Sequence, residues 1–225
     1  ERPFPIPGWT LPGVATVGSA QILLKTAGVV EDNAILVGTG PLLYLLAVQY
    51  LRAGVEIRAI LDTNPRRNKW RALRYLPGAS ARLHLILKGQ KWISEIKKAR
   101  VPWYREVTHV SLHGEEKLES VIFKTDKYEK KLSNVQKAFL HHGVTPNINL
   151  PMAAGCKHSW DPLQLCWKPI TSKEGETSIK GIWVAGDGGG IIGAHASEAS
   201  GHVIARAILT CLGKEQNLSK NERWN

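Results

Sequence analysis

Ala34-Ile35-Leu36-Val37 is apolar at every position, which reads as a strand covered on both faces. Gly38-Thr39-Gly40 interrupts it as a tight turn. Residues 41–52 then read as a helix, with Pro41 suited to its first turn. Ala53-Gly54 closes that helix, and 55–61 is a second apolar strand. The result is a β-α-β unit, the signature of a parallel sheet and an α/β fold. Upstream, 1–28 is rich in Pro and Gly and reads as an extended connection with a short helix over 19–26. Downstream, a longer helical stretch covers 83–99. Strands over 107–112 and 119–124 pair around His113-Gly114, and a further strand covers 136–140. The last third changes character. Residues 152–178 look irregular, 181–185 reads as a strand, 186–190 as a glycine-rich turn and 194–212 as a helix. The remainder, 213–225, is polar and expected to fray.

Composition agrees with a folded chain. Of 225 residues, 43% are hydrophobic, which excludes general disorder and suffices for a substantial core. The length allows one large domain or two small ones. The apolar run at 42–46 is far short of the roughly 20 residues a bilayer requires. No signal peptide is legible, and the opening at Glu1 without an initiator Met reads as a piece of a longer protein. Cys156, Cys166 and Cys211 have no disulfide-framework or CxxC spacing, so a reducing, cytoplasmic setting is expected.

Thirty Lys and Arg against nineteen Asp and Glu give a net charge of +11. Arg66, Arg67, Lys69, Arg71 and Arg74 cluster, either as a solvated helix face or as a hold for a nucleotide phosphate. The remaining charge is scattered, without interleaved aromatics, so nucleic acid is not an expected partner.

Two glycine motifs carry the chemistry. Gly38-Thr39-Gly40-Pro41-Leu42-Leu43 follows a strand and opens a helix, where a dinucleotide fingerprint belongs. Gly38 makes the turn, and Gly40 lets backbone amides approach a pyrophosphate at the helix N-terminus. Asp62 ends the next strand, at the distance expected of a ribose-binding acid. Leu43 departs from the pattern, because Gly or Ala normally permits close helix–strand packing there. Leu43 is expected to push the helix out and narrow the pocket, which makes NAD or NADP binding doubtful. Asp62 argues for NAD, whereas Arg66 and Arg67 favour NADP.

The second motif is the apolar 181–185 followed by Gly186-Asp187 and further glycines, then a helix from Gly193-Ala194. A carboxylate at a strand end can accept from ribityl hydroxyls. The following helix N-terminus can face the electron-rich edge of a flavin. An N-capping Asp in an ordinary turn is the simpler alternative. Gly143-Val144-Thr145-Pro146-Asn147 is a turn signature. His141 and His142 adjoin it, as cofactor contacts or as polar caps to a strand end. His195 and His202 share one helix face, and no metal-site pattern accompanies any of these histidines. Cys156 and Cys166 read as structural.

Together, the glycine motifs resemble the flavoproteins with two dinucleotide-binding domains related to thioredoxin reductase. The opening from Glu1-Arg2-Pro3 to Pro12-Gly13-Val14, the Gly38–Leu43 block, His141 to Asn147, Gln164 to Pro169 and Gly186-Asp187 are more specific. They resemble the A subunits of opine oxidases, the B subunit of hydrogen cyanide synthase and part of the sarcosine oxidase alpha subunit. That resemblance runs from Glu1 to about Leu212. It implies a Rossmann-like NAD-type domain inserted in a partial FAD domain. Residues 1–28 would end the first FAD half, 29–138 would be the NAD-like domain, and 139–212 the returning FAD half, followed by the tail. Gly186, Asp187, Gly193 and Ala194 would then contact FAD. The glycine-rich loop that holds the ADP half of FAD would lie upstream of Glu1.

The activity implied is FAD-dependent oxidation of a small amine or amino-acid derivative at a C–N bond. It would involve a non-NAD electron acceptor and a hetero-oligomeric partner subunit. One alternative is an NAD(P)H-dependent flavin reductase of the thioredoxin reductase type, against which the missing CxxC weighs. The other is a non-catalytic scaffold subunit. No catalytic residue is legible.

Overall fold

The opening residues turn repeatedly and lead into β1 (Val14–Thr16) and α1 (Val17–Ala27) of a computed structural model that describes residues 1–73 and 83–214. The helix is longer than expected at both ends, for local reasons. The Thr16 side chain accepts from the Ser19 amide at 3.1 Å, and Gly28 closes the helix at φ 65°.

The apolar run is β2 (Ala34–Gly38), followed by α2 (Pro41–Arg52) and β3 (Ile57–Asp62). A basic helix, α3 (Arg66–Leu73), and an amphipathic one, α4 (Leu83–Lys98), come next. β4 (Trp103–Arg105) and β8 (Ala138–His141) complete a parallel sheet of order β1-β8-β2-β3-β4. Between them, β5 (His109–His113), β6 (Ser120–Lys124) and β7 (Glu129–Ser133) form an antiparallel sheet.

Alternation along the strands sorts the core into two layers. Leu36, Ile60 and Phe139 face α1, α2 and α4. Ile35, Val37, Leu61 and Leu140 face the antiparallel sheet, against Val110, Val121 and Phe123. A strand covered on both faces is apolar throughout, which is why 34–37 is so legible.

The chain divides into two compact units, Glu1–Gly143 and Val144–Asn225. Residues 1–28 fall within the first unit, where β1 pairs in parallel with β8. In the second unit, α5 (Asn149–Ala153) precedes a hairpin of β9 (His158–Asp161) and β10 (Cys166–Pro169), in a stretch whose composition reads as irregular. The expected strand over 181–185 does not form. Trp183 makes one isolated antiparallel bridge, with Glu176. A single-turn 3₁₀ helix (Gly186–Gly189) leads to α6 (Ala194–Cys211).

The hydrophobic pattern announces neither β4 nor β7. β4 is too short to show a period, and Glu129-Lys130-Lys131 is exposed. In the basic cluster, Arg66, Arg67 and Arg71 are exposed, and Arg74 lies outside the described residues, as does the tail beyond 214. Among the described residues, no helix is long and apolar enough to cross a membrane.

Candidate functional site

The second glycine motif folds around its own acid. Asp187 is exposed at the 3₁₀ turn. Its Oδ1 accepts from the Ile192 amide at 2.8 Å, the Gly193 amide at 3.1 Å and the Ser197 hydroxyl at 3.1 Å. Those bonds, the Ile192 amide foremost, hold its carboxyl below the ordinary aspartate range. Among the described residues, Oδ2 has no partner.

Gly186 is left-handed at φ 59°, where a side chain would crowd Ser197 at 3.1 Å, and its amide donates to Ser200 Oγ at 3.2 Å. Gly193, at φ 86°, is the N-cap residue of α6 and offers no side-chain cap. Ala194 and His195 begin the helix exposed. A cavity of about 300 Å³ adjoins the loop, between Gly186, Gly190, Ser200 and Ile204.

One further residue shapes this loop. Gln164, at the turn of the β9–β10 hairpin, reaches Ile191 with both ends of its amide. Its Oε1 accepts from the Ile191 N–H at 2.9 Å, and its Nε2 donates to the Ile191 carbonyl at 2.8 Å. Asp161 shapes the same turn. It accepts from the Leu163 and Gln164 amides and from Lys168 Nζ at 2.9 Å. Lys168 first, then those amides, bring its carboxyl down to about 2. Spacing alone could not find the Gln164 contact, because the hairpin that aims it is not legible in the sequence. Cys156 and Cys166 are buried thiols, and Cys156 Sγ donates to Thr177 Oγ1 at 3.3 Å. His195 and His202 are exposed on α6.

The first glycine motif stands at the carboxyl ends of β2 and β3, whose last residues, Gly38 and Asp62, are register partners. Gly38 has φ 130°, and a Cβ there would overlap the His141 carbonyl oxygen. Gly40 is the N-cap of α2 at φ 109°. Leu43 points inward and is fully buried in the helical core layer. A cleft of about 520 Å³ remains in front of the motif, lined by Thr39, Gly40, Tyr44, Asn64, Lys88 and Trp92.

Asp62 is 7% exposed. Its Oδ2 accepts from the Tyr44 hydroxyl at 2.9 Å, and its Oδ1 from the Asn64 amide at 2.9 Å. Burial first, then the Asp62 charge, push the Tyr44 phenol well above its ordinary 10.

His141 and His142 lie at the same end of the sheet. His141 is buried, with Nδ1 2.6 Å from Glu1 Oε1. Glu1 Oε2 accepts from the Gly18 amide at 2.6 Å, in the first turn of α1. Burial would raise the Glu1 carboxyl, but hydrogen bonds from His141, Thr16 and Gly18 together hold it below its ordinary range. His142 stacks on Phe4 at 4.6 Å. Burial, then the Arg2 charge, depress its pKa. The flavin-assigned and nucleotide-assigned residues thus fall in separate units, Gly186 to Ala194 in one and Gly38, Gly40 and Asp62 in the other.

No family model matches the chain. The opine oxidase A subunit of Rhizobium meliloti is 42% identical over 214 residues, covering 95% of this chain and 40% of that protein. Hydrogen cyanide synthase subunit HcnB of Pseudomonas protegens is 27% identical over 236 residues, covering 99% of this chain and 48% of that protein. Among solved structures, thioredoxin reductase of Lactococcus lactis matches with a TM-score of 0.62 at 15% identity, covering 95% of this chain and 63% of that one. Bacillithiol disulfide reductase of Staphylococcus aureus matches at 0.61 and 15%, covering 93% and 59%. These likenesses establish the Rossmann-like fold. The chain spans between two fifths and half the length of the curated relatives it matches. By sequence, this chain is a relative of the opine oxidase A subunits.

Proposed function

We propose that this chain is part of the flavin-bearing subunit of an FAD-dependent oxidoreductase. In this reading the second unit is the returning part of a split FAD domain, and the first is its inserted NAD-like domain. The observation that carries the proposal is the 42% identity, over nearly the whole chain, to a protein named as an oxidase subunit. The loop supports it. Gly186 brings backbone close without a side chain, Asp187 keeps one oxygen unengaged among the described residues, and α6 opens without a side-chain cap. A helix start of that kind favours an electron-rich group.

Gly186, Asp187, Gly193 and Ala194 would hold the flavin end, and Gln164 would fix the loop that carries them. The flavin, when bound, supplies the two-electron acceptor for oxidation of a C–N bond in an amine or amino-acid derivative. The word subunit in the relatives' names supports a partner chain. Electrons then pass to an acceptor other than NAD.

The test is the visible spectrum of the protein extended upstream to the length of its relatives. Flavin absorption as purified, bleached by an opine-type amino acid and not by NADH or NADPH, is the expected result. Bleaching by a reduced nicotinamide instead would favour the thioredoxin reductase type. A colourless protein that takes up no added FAD would leave the scaffold reading.

A further inference from the structure

The carboxylate that ends β3 already has a hydroxyl partner. In a Rossmann unit the acid in this position receives the ribose diol of a dinucleotide. Here the Tyr44 phenol lies 2.9 Å from Asp62 Oδ2, and the Asn64 amide takes Oδ1. The phenol comes from α2, one residue beyond the third position of the glycine motif, so it stands between the turn and the acid.

Its ring is fixed from the other side. Tyr44 tilts against the Trp103 ring at 5.4 Å, and the Arg105 guanidinium lies 4.4 Å over that indole. Trp103 and Arg105 belong to β4, which pairs with β3 beside Asp62. Tyr44 also lines the cleft itself, with Thr39, Gly40 and Trp92. A ribose would have to displace a hydrogen bond to a buried carboxylate and move a ring packed against Trp103. Hydrogen bonds to charged groups are among the stronger ones in proteins.

We propose that Tyr44 is a specificity-determining residue: its hydroxyl takes the place of the ribose at Asp62, so the first unit keeps the dinucleotide fold and refuses NADH and NADPH. The glycine turn remains and Leu43 is accommodated in the core. In this proposal the barrier to a dinucleotide lies at the ribose position.

The test is a titration of the chain with NADH and with NADPH, read as quenching of tryptophan emission, Trp92 being in the cleft wall. The unaltered chain is expected to show no saturation up to about 1 mM, the weak edge of ordinary cofactor affinity. Tyr44→Phe keeps the ring and releases the carboxylate, and Tyr44→Ala removes both. At least one of them should gain tenfold or more for NADH. Adding Asp62→Asn should cancel that gain, and circular dichroism checks that each variant folds. Saturation of the unaltered chain in the micromolar range overturns the proposal, and so does an absence of gain in both Tyr44 variants. The proposal rests on reading the first unit as NAD-like. Its readout involves no flavin, so a colourless extended protein would count against the flavin assignment without touching this one.

Discussion

Glu1 shows how much one side chain can organise. It joins the buried His141 at the end of β8 to the first turn of α1. Its carboxyl is depressed in the folded state, so its contribution is complete above the ordinary glutamate value of 4.5 and is lost as pH falls below it. Glu1→Gln should cost about 1–2 kcal/mol at neutral pH, since the amide keeps one acceptor oxygen, now uncharged, and puts an N–H donor where the second carboxylate oxygen accepted. It should also flatten the acid limb of the stability curve. Urea midpoints at pH 7 and pH 4 measure both effects, and an unchanged difference between the two pH values would refute the assignment. Gly38 is a second sensitive residue. Ala there combines a positive φ with overlap of the His141 carbonyl oxygen. Gly38→Ala should cost at least about 2 kcal/mol, read from the same denaturation experiment.

At the scale of elements, the sequence is most informative where burial is two-sided. Residues 34–37 declare β2 because both faces are covered. The Gly38–Gly40 turn and α2 follow from their own punctuation. Polar or short strands are not legible. β7 shows a run of charges to solvent, and the β9–β10 hairpin places Trp160 and Trp167 half exposed, as a T-shaped pair. Spacing singles out Gly186, Asp187 and Gly193. It does not show that Asp187 Oδ1 braces its own loop, because the bond reaches Ser197 in the following helix.

Gln164 is hidden for the same reason, since its role depends on a hairpin the pattern does not announce. Its two bonds to Ile191 carry the loop across to that hairpin. Each is worth about 0.5–1.5 kcal/mol, so Gln164→Ala should weaken flavin binding in the extended protein by about tenfold. Gln164→Glu keeps the acceptor for the Ile191 N–H and loses the donor, and should fall between. Flavin dissociation constants measure this, and a shifted visible spectrum would separate a displaced loop from general destabilisation. Equal affinity in all three proteins would mean that the hairpin does not position the flavin end.

For the molecule as a whole, the segment over 181–185 connects the structure to the greater length of its relatives. It has strand composition, and part of its backbone is engaged. Ile182 donates to the Ile179 carbonyl and Val184 to the Gly175 carbonyl, whereas the Thr177 amide bonds the Ile182 carbonyl. Among the described residues, the amides of Trp183 and Ala185 have no backbone acceptor. Successive N–H groups of an extended chain point to opposite edges, so beyond Gly181, whose amide donates to Glu176 Oε1 at 3.0 Å, the edge carrying Trp183 and Ala185 is open. An apolar extended segment with an open edge, ending at the Gly186-Asp187 turn, has the form of a sheet strand whose neighbour lies elsewhere. The relatives extend to more than twice this length, and a split FAD domain would supply that neighbour from its other half. Hydrogen exchange distinguishes the cases residue by residue. On going from this chain to the extended protein, Trp183 and Ala185 should gain strong protection. Ile35 and Val37 of β2 serve as the reference, because they are fully buried already and should change little. Protection that rises equally everywhere would indicate only greater global stability. Protection confined to the open edge would show that the Gly186-Asp187 turn is anchored by a strand from outside this chain.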